Sequence, residues 1–190
     1  MSQKETTHFL QRFLLQLAKQ DSPRSAKHAA AVLLPIIAQP GQAEQIVLTQ
    51  RSAHLRHHPS QISLPGGKHD PEDINLSHTA LRETYEEIGI HPTAFTIHGQ
   101  LPKQTTVSNF SVRPFIATTN QALSFKLNYD EVAQVMVLPL QPFLRLDNYH
   151  GYSFKRRGKL EEVYFIEVEK HVIWGVTAKI LRDFASHCCR

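Results

Sequence analysis

Apolar and polar positions follow two different periods along this chain, and the switches between them mark its elements. Phe9, Leu10, Phe13, Leu14 and Leu17 recur at helical intervals, which predicts an amphipathic helix over residues 7–19 that ends at Ser22-Pro23. The apolar run Ala29–Ile37 predicts a strand, and Pro40-Gly41 turns it toward a second strand at Gln45–Gln50. Further strands are predicted at Phe95–Leu101 and Ser111–Ala117, with a loop from Pro102 to Asn109 between them. Glu131–Val137 reads as a strand entering Pro139-Leu140, with a short helix around Phe143. Tyr152–Arg156 and Val163–Val168 read as a hairpin around Arg157-Gly158-Lys159. A closing helix runs from Thr177, its predicted cap, to about Ser186, with Ile180, Leu181 and Phe184 apolar. Tyr149, Tyr152, Phe154 and Trp174 are expected to pack in the core or on the surface. Helices interspersed with short strands predict an α/β fold with helices on both faces of a mixed sheet.

The segment from Gly66 to Ile90 carries the chemistry. Taken as a helix from about Asn75 to Ile88, it has Asp73 or Asn75 to cap its start and Gly89 to end it. Ile74, Leu81, Tyr85 and Ile88 are then expected to form the core-facing stripe, with Glu83, Glu86 and Glu87 facing away. A solvated polar face would account for one or two glutamates. Three within one turn repel each other, and two of them oppose the helix dipole in the last turn. Arg82, one turn from Glu86, offsets part of this. A divalent cation would offset more, and magnesium suits carboxylate oxygens completed by water and substrate phosphates.

Just upstream, Val47 to Gly67 reads as a strand, a basic loop and a short strand entering the glycine turn. Most charge runs are solvated loops. Beside a metal–diphosphate site, however, Arg51 and Arg56 would complement phosphate oxygens, arginine doing so bidentately. His54, His57 and His58 add donors to the same loop.

These residues resemble the Nudix box: Gly, five residues, Glu, seven residues, then Arg-Glu-apolar-x-Glu-Glu-x-Gly-apolar. Here Gly67 and five residues lead to Asp73 in place of Glu, eight residues separate Asp73 from Arg82, and Thr84 holds an apolar position. Asp73 is therefore not counted among the metal ligands. The upstream stretch is similar to the signature of the coenzyme A pyrophosphatase branch of that family. The matching positions are Leu48, Thr49, Arg51, Ser52, Leu55, Arg56, His58, Pro65, Gly66 and Gly67. Val47, Gln50, Ser60 and Leu64 stand where the branch has Leu, Lys, Gly and Phe. The Thr79–Glu83 run and Ile173-Trp174-Gly175-Val176-Thr177-Ala178 also look like that branch, so the likeness spans about Ala30 to Phe184.

The resemblance implies a Nudix α/β/α sandwich and metal-dependent hydrolysis of a diphosphate with Mg2+ or Mn2+. Coenzyme A is the leading substrate, giving adenosine 3′,5′-bisphosphate and 4′-phosphopantetheine. ADP-ribose, NADH or a nucleoside triphosphate is the first alternative, and a nucleotide-sensing module without catalysis the second. It implies Glu83, Glu87 and Glu86 as metal ligands, with Glu83, Arg82 and Glu86 in the catalytic set and Arg82 orienting a glutamate. Arg51, Arg56, His58, Gly66 and Gly67 would meet the substrate. Glu83 and Glu131 are both open as proton acceptor.

Composition adjusts this little. At 190 residues, 41% of them hydrophobic and 20% charged, the chain is expected to be one soluble domain. A net charge of +4 suits anionic substrates, and no motif that reads DNA or RNA is present, so no specific nucleic-acid partner is expected. Cys188 and Cys189 are adjacent and make no disulfide framework. No secretory pattern opens the chain and no apolar run is long enough to cross a bilayer. A cytoplasmic enzyme without membrane attachment is the expectation, with a homodimer open.

Overall fold

The computed structural model describes residues 28–56, 58–106, 110–156 and 159–189. The helix predicted over residues 7–19 lies outside the described residues.

Strand β1 (Ala29–Ile37) is apolar throughout because both its faces are covered, as in the centre of a parallel pair. Ala31 and Leu33 point to one side, Leu34 and Ile36 to the other. It is antiparallel to β2 (Gln45–Arg51) at one end, where Ile36 faces Ile46. The two-residue β3 (Ile62–Ser63) continues alongside β2. At its other end β1 pairs antiparallel with β4 (Gly66–Lys68), Ala31 opposite Gly67. Helix α1 (Leu76–Ile88) follows. β5 (Thr96–Gln100) and β6 (Gln104–Thr105) both pair with β7 (Ser111–Thr119), which runs parallel to β1 from Ala29/Ser111 to Ile37/Thr119. β8 (Val132–Pro139) closes the far side against β2, with a register shift at Gln50/Arg51. A separate antiparallel sheet contains β9 (Tyr149–Arg156), β10 (Lys159–Val168) and β11 (His171–Trp174), in the order β11-β10-β9. Helix α2 (Val176–Cys188) ends the described chain.

One face of the mixed sheet carries α1, with Leu76 and Ala80 against Ala31, Leu33, Phe115 and Ala117. The other carries α2 and the small sheet around Phe143, Ile166, Ile173, Ile180, Leu181 and Phe184. This is the predicted α/β sandwich with a mixed sheet. Among the described residues no helix is long and apolar enough to cross a membrane.

Three local expectations change. The buried stripe of α1 is Leu76, Ala80, Thr84 and Ile88, joined by Thr79 and Glu87, whereas Ile74 is 80% exposed and Tyr85 half-exposed. The helix packs across β1 and β4 through its small residues, and this rotates the stripe away from the larger side chains. Thr84 is tolerated inside because its hydroxyl donates to the Ala80 carbonyl at 2.6 Å. Helix α2 starts one residue before Thr177. Gly175, at φ 70°, turns the chain out of β11, and Thr177 is buried in the first turn without acting as the cap. Trp174 and Tyr152 lie on the outside of the small sheet, while Tyr149 is buried and donates its hydroxyl to the Phe143 carbonyl at 2.8 Å.

The basic loop after β2 carries two left-handed residues, His58 at φ 56° and Ser60 at φ 60°. The second is the position where the resembled signature has glycine, which adopts this conformation without a Cβ penalty. Ser60→Gly is expected to raise the unfolding free energy by about 0.5 kcal/mol, read as a higher denaturant midpoint at an unchanged m-value. Activity should be unaltered.

Candidate active site

The site forms where β4 passes beneath the C-terminal half of α1. Gly66 takes φ 142°, and a Cβ there would run into the backbone of Ala31 and Val32, so no side chain fits. A Cβ on Gly67 would instead fall on the Glu83 carboxylate. The two glycines therefore let carboxylates approach the strand backbone, and the Gly66 N–H donates to Glu87 Oε2 at 3.1 Å. In Gly67→Ala the far end of Glu83 can swing aside. The fold should survive with little change in thermal midpoint, while turnover falls between about tenfold and a hundredfold from the displaced carboxylate.

Arg82 is the hub of the outer layer. Its Nε donates to Asp73 Oδ1 at 2.8 Å and its Nη2 to Asp73 Oδ2 at 3.0 Å, a bidentate pair. Nη1 reaches Glu86 at 2.8 Å, and Nη2 also reaches Glu83 and the Lys68 carbonyl, each at 3.1 Å. Asp73, whose side chain is 1% exposed, further accepts from the Asp70 N–H and Thr79 Oγ1 and lies 2.9 Å from His78 Nδ1. Burial alone would raise the Asp73 acid. The hydrogen bonds from Arg82, Asp70, Thr79 and His78 outweigh it and hold the carboxyl well below its ordinary range. The bond to Asp73 in turn raises the pKa of the Arg82 guanidinium.

The inner layer is a set of carboxylates that burial makes costly to ionise. Glu87 is only 2% exposed, contrary to the expectation that it faces away from the core. Burial, helped by the charges of Glu83 and Glu131, pushes it up to about 8 against the pull of the Gly66 N–H and Arg51. Glu83 is raised by burial against the opposing pull of Arg82, with Glu86 and Glu131 adding to the rise. Glu131 thus belongs electrostatically to the same cluster. It is held there by backbone bonds: the Ser52 N–H donates to the Glu131 carbonyl and the Asn128 N–H to the Glu87 carbonyl.

The structure brings together Glu83, Glu86, Glu87, Arg82, Gly66, Gly67 and Arg51. Arg51 ends β2, and its buried Nε has no hydrogen-bond partner among the described residues. Arg56 and His58 stay on the exposed loop, His58 Nδ1 lying 2.8 Å from Gln61 Oε1, and no contact among the described residues ties either one to the glutamates. His57 lies outside the described residues. Sequence reasoning missed Asp73 as the anchor of Arg82, and its chemistry was the available signal: an acid nine residues before an arginine, with Thr79 and His78 between them.

An oxygen-only donor set, in which burial raises Glu83 and Glu87, fits a hard divalent cation. Among the described residues no three acidic, histidine or cysteine side chains converge on a closed cage as they stand. Arg82 donates to both Glu86 and Glu83 and so fixes where those two carboxylates stand.

Residues 27–166 match the family model of the NUDIX domain. The chain belongs to the Nudix family. It is similar over nearly its full length to "Uncharacterized Nudix hydrolase NudL" of Yersinia enterocolitica, at 39% identity over 184 residues covering 97% of this chain and 93% of the relative. The protein of the same description from Salmonella typhimurium is 38% identical over 178 residues, covering 94% and 92%. Among solved structures, a MutT/nudix family protein from Enterococcus faecalis superposes with a TM-score of 0.55 at 15% identity, covering 96% of this chain and 73% of that one. A Nudix hydrolase from Alicyclobacillus acidocaldarius gives 0.53 at 19% identity, covering 67% and 83%. At these identities the structural likeness speaks for the fold alone. Family and relatives together make this Nudix chain a pyrophosphohydrolase acting on a nucleoside diphosphate derivative.

Proposed function

We propose that the substrate is coenzyme A or one of its derivatives, hydrolysed at the diphosphate to adenosine 3′,5′-bisphosphate and 4′-phosphopantetheine. The observation that carries this reading is Arg51: it lies in the motif that resembles the coenzyme A branch, its charge acts on Glu87, and its buried Nε lacks a partner among the described residues. Such a group is suited to a phosphate oxygen.

Water adds to one phosphorus, and the bridging P–O bond breaks to leave two phosphate monoesters. Glu83, Glu86 and Glu87 would hold the cation in this reading, with Arg82, fixed by Asp73, orienting the first two. Magnesium or manganese held there would supply charge neutralisation of the diphosphate and a lowered pKa for water. Glu83 or Glu131 takes the water's proton in this reading. Arg56 and His58 supply further donors from the loop, and Gly66 and Gly67 meet the substrate through their backbone in this reading.

A panel of coenzyme A, ADP-ribose, NADH and a nucleoside triphosphate, incubated with magnesium and resolved by chromatography, tests the reading. Coenzyme A should give the highest kcat/KM and the two named products. A higher kcat/KM on ADP-ribose would overturn the substrate while leaving the chemistry. Binding without turnover of any of the four would point to a sensing module.

A further inference from the structure

The outer face of the small sheet is apolar and exposed. Pairing sets Tyr152 beside Val163 and Trp174 beside Phe165, with Val172 in the next row opposite Glu167. Tyr152 is 66% exposed, Val172 53% and Trp174 45%, and the rings of Phe165 and Trp174 stack at 6.4 Å. On the opposite face of the same strands Ile166, Val168 and Ile173 are buried in the core. Three large side chains left open on one small sheet form the kind of patch that marks an interaction surface.

We propose that this face is the docking site of the chain's own N-terminal segment, residues 7–19, bound as a helix through Phe9, Leu10, Phe13, Leu14 and Leu17. The sizes agree. Thirteen helical residues span about 20 Å, and three strands offer a platform about 10 Å broad whose apolar rows extend over about 13 Å. Residues 1–27 carry five Lys or Arg against two Asp or Glu, and Glu167 stands opposite Val172 at one end of the face.

The tether is long enough. The start of β1 lies beside Lys68 of β4, β4 follows β3 by two residues, and β3 packs against β11. That path is five residues of extended chain, about 17 Å. Residues 20–28 can reach about 30 Å. A tether of this length gives an effective concentration near millimolar, so the segment outcompetes a second copy of the chain at ordinary protein concentrations.

Trp174 is the chain's one tryptophan, so its fluorescence reports on this face alone. Three proteins are compared: the full chain, a chain lacking residues 1–20, and the full chain with Phe13→Asp and Leu17→Asp. Emission maxima and acrylamide quenching are read across two decades of concentration, below the cooperative thermal transition of each protein. Both altered proteins should show red-shifted, more readily quenched emission, with no dependence on concentration. Should the truncated chain fail to fold, the doubly substituted full chain decides. Identical emission from the full chain and the substituted one would overturn the proposal. So would shielding of Trp174 that grows with concentration and persists in the substituted chain, which would assign the face to a second copy.

Discussion

Glu83→Gln and Glu87→Gln are each expected to lower kcat at saturating magnesium by at least about a hundredfold, the scale of loss when preorganised charge is removed from a reacting centre. Both changes keep shape and hydrogen-bonding capacity, so a loss of this size would come from the charge. Unchanged rates in both variants would sink the ligand assignment. Glu87→Gln carries a second signature in metal-free protein. Burial raises the folded-state pKa of Glu87 to about 8, above the ordinary carboxyl value of about 4.3. Folding therefore holds a proton that the unfolded chain releases. Stability is fully present below pH 4 or so, falls as pH rises between these two values, and levels off above the higher one. A loss of several kcal/mol over that interval is expected for the native sequence, and most of it should vanish in Glu87→Gln. Thermal midpoints from pH 5 to pH 9, with and without magnesium, would read it. Added cation should restore stability at the alkaline end, since a bound ion reverses the preference for the neutral acid.

Asp73→Ala is expected to destabilise the fold by about 3 kcal/mol, because it strands a half-buried guanidinium whose main partner is gone. The depressed acid of Asp73 works in the opposite sense to Glu87. Its contribution is complete above about pH 4 and is lost as pH falls further. The gap between native and variant proteins should accordingly hold from pH 5 upward and close in acid. Denaturant titrations at pH 7 and pH 2.5 test this, and an equal gap at both values would show that Asp73 acts through packing and not through its charge.

The ends of α1 were legible because Asn75 and Gly89 are local signals, and the bounds of β1 because an unbroken apolar run needs no partner to be recognised. The face that α1 buries was not. Helical phase ranked Ile74 and Tyr85 as core, whereas the neighbouring β4 accepts only small residues beneath the helix, and that depends on the β1–β4 pairing. The second half of the site was readable for the same reason as the helix itself: Arg82, Glu83, Glu86 and Glu87 are neighbours by spacing alone. Glu131 enters from β8's leading loop through long-range strand pairing, which no local pattern records. Asp73 was discounted because its count of residues to Arg82 is off by one.

That extra residue has a use. Asp73 meets the guanidinium from a turn closed by its own contact with the Asp70 N–H, ahead of the first helical turn. Lengthening the approach by one position therefore moves the bend and leaves the handshake intact. Searches that demand a fixed gap would pass over chains built this way, while a search for an acid able to grip the arginine from outside the helix would recover them.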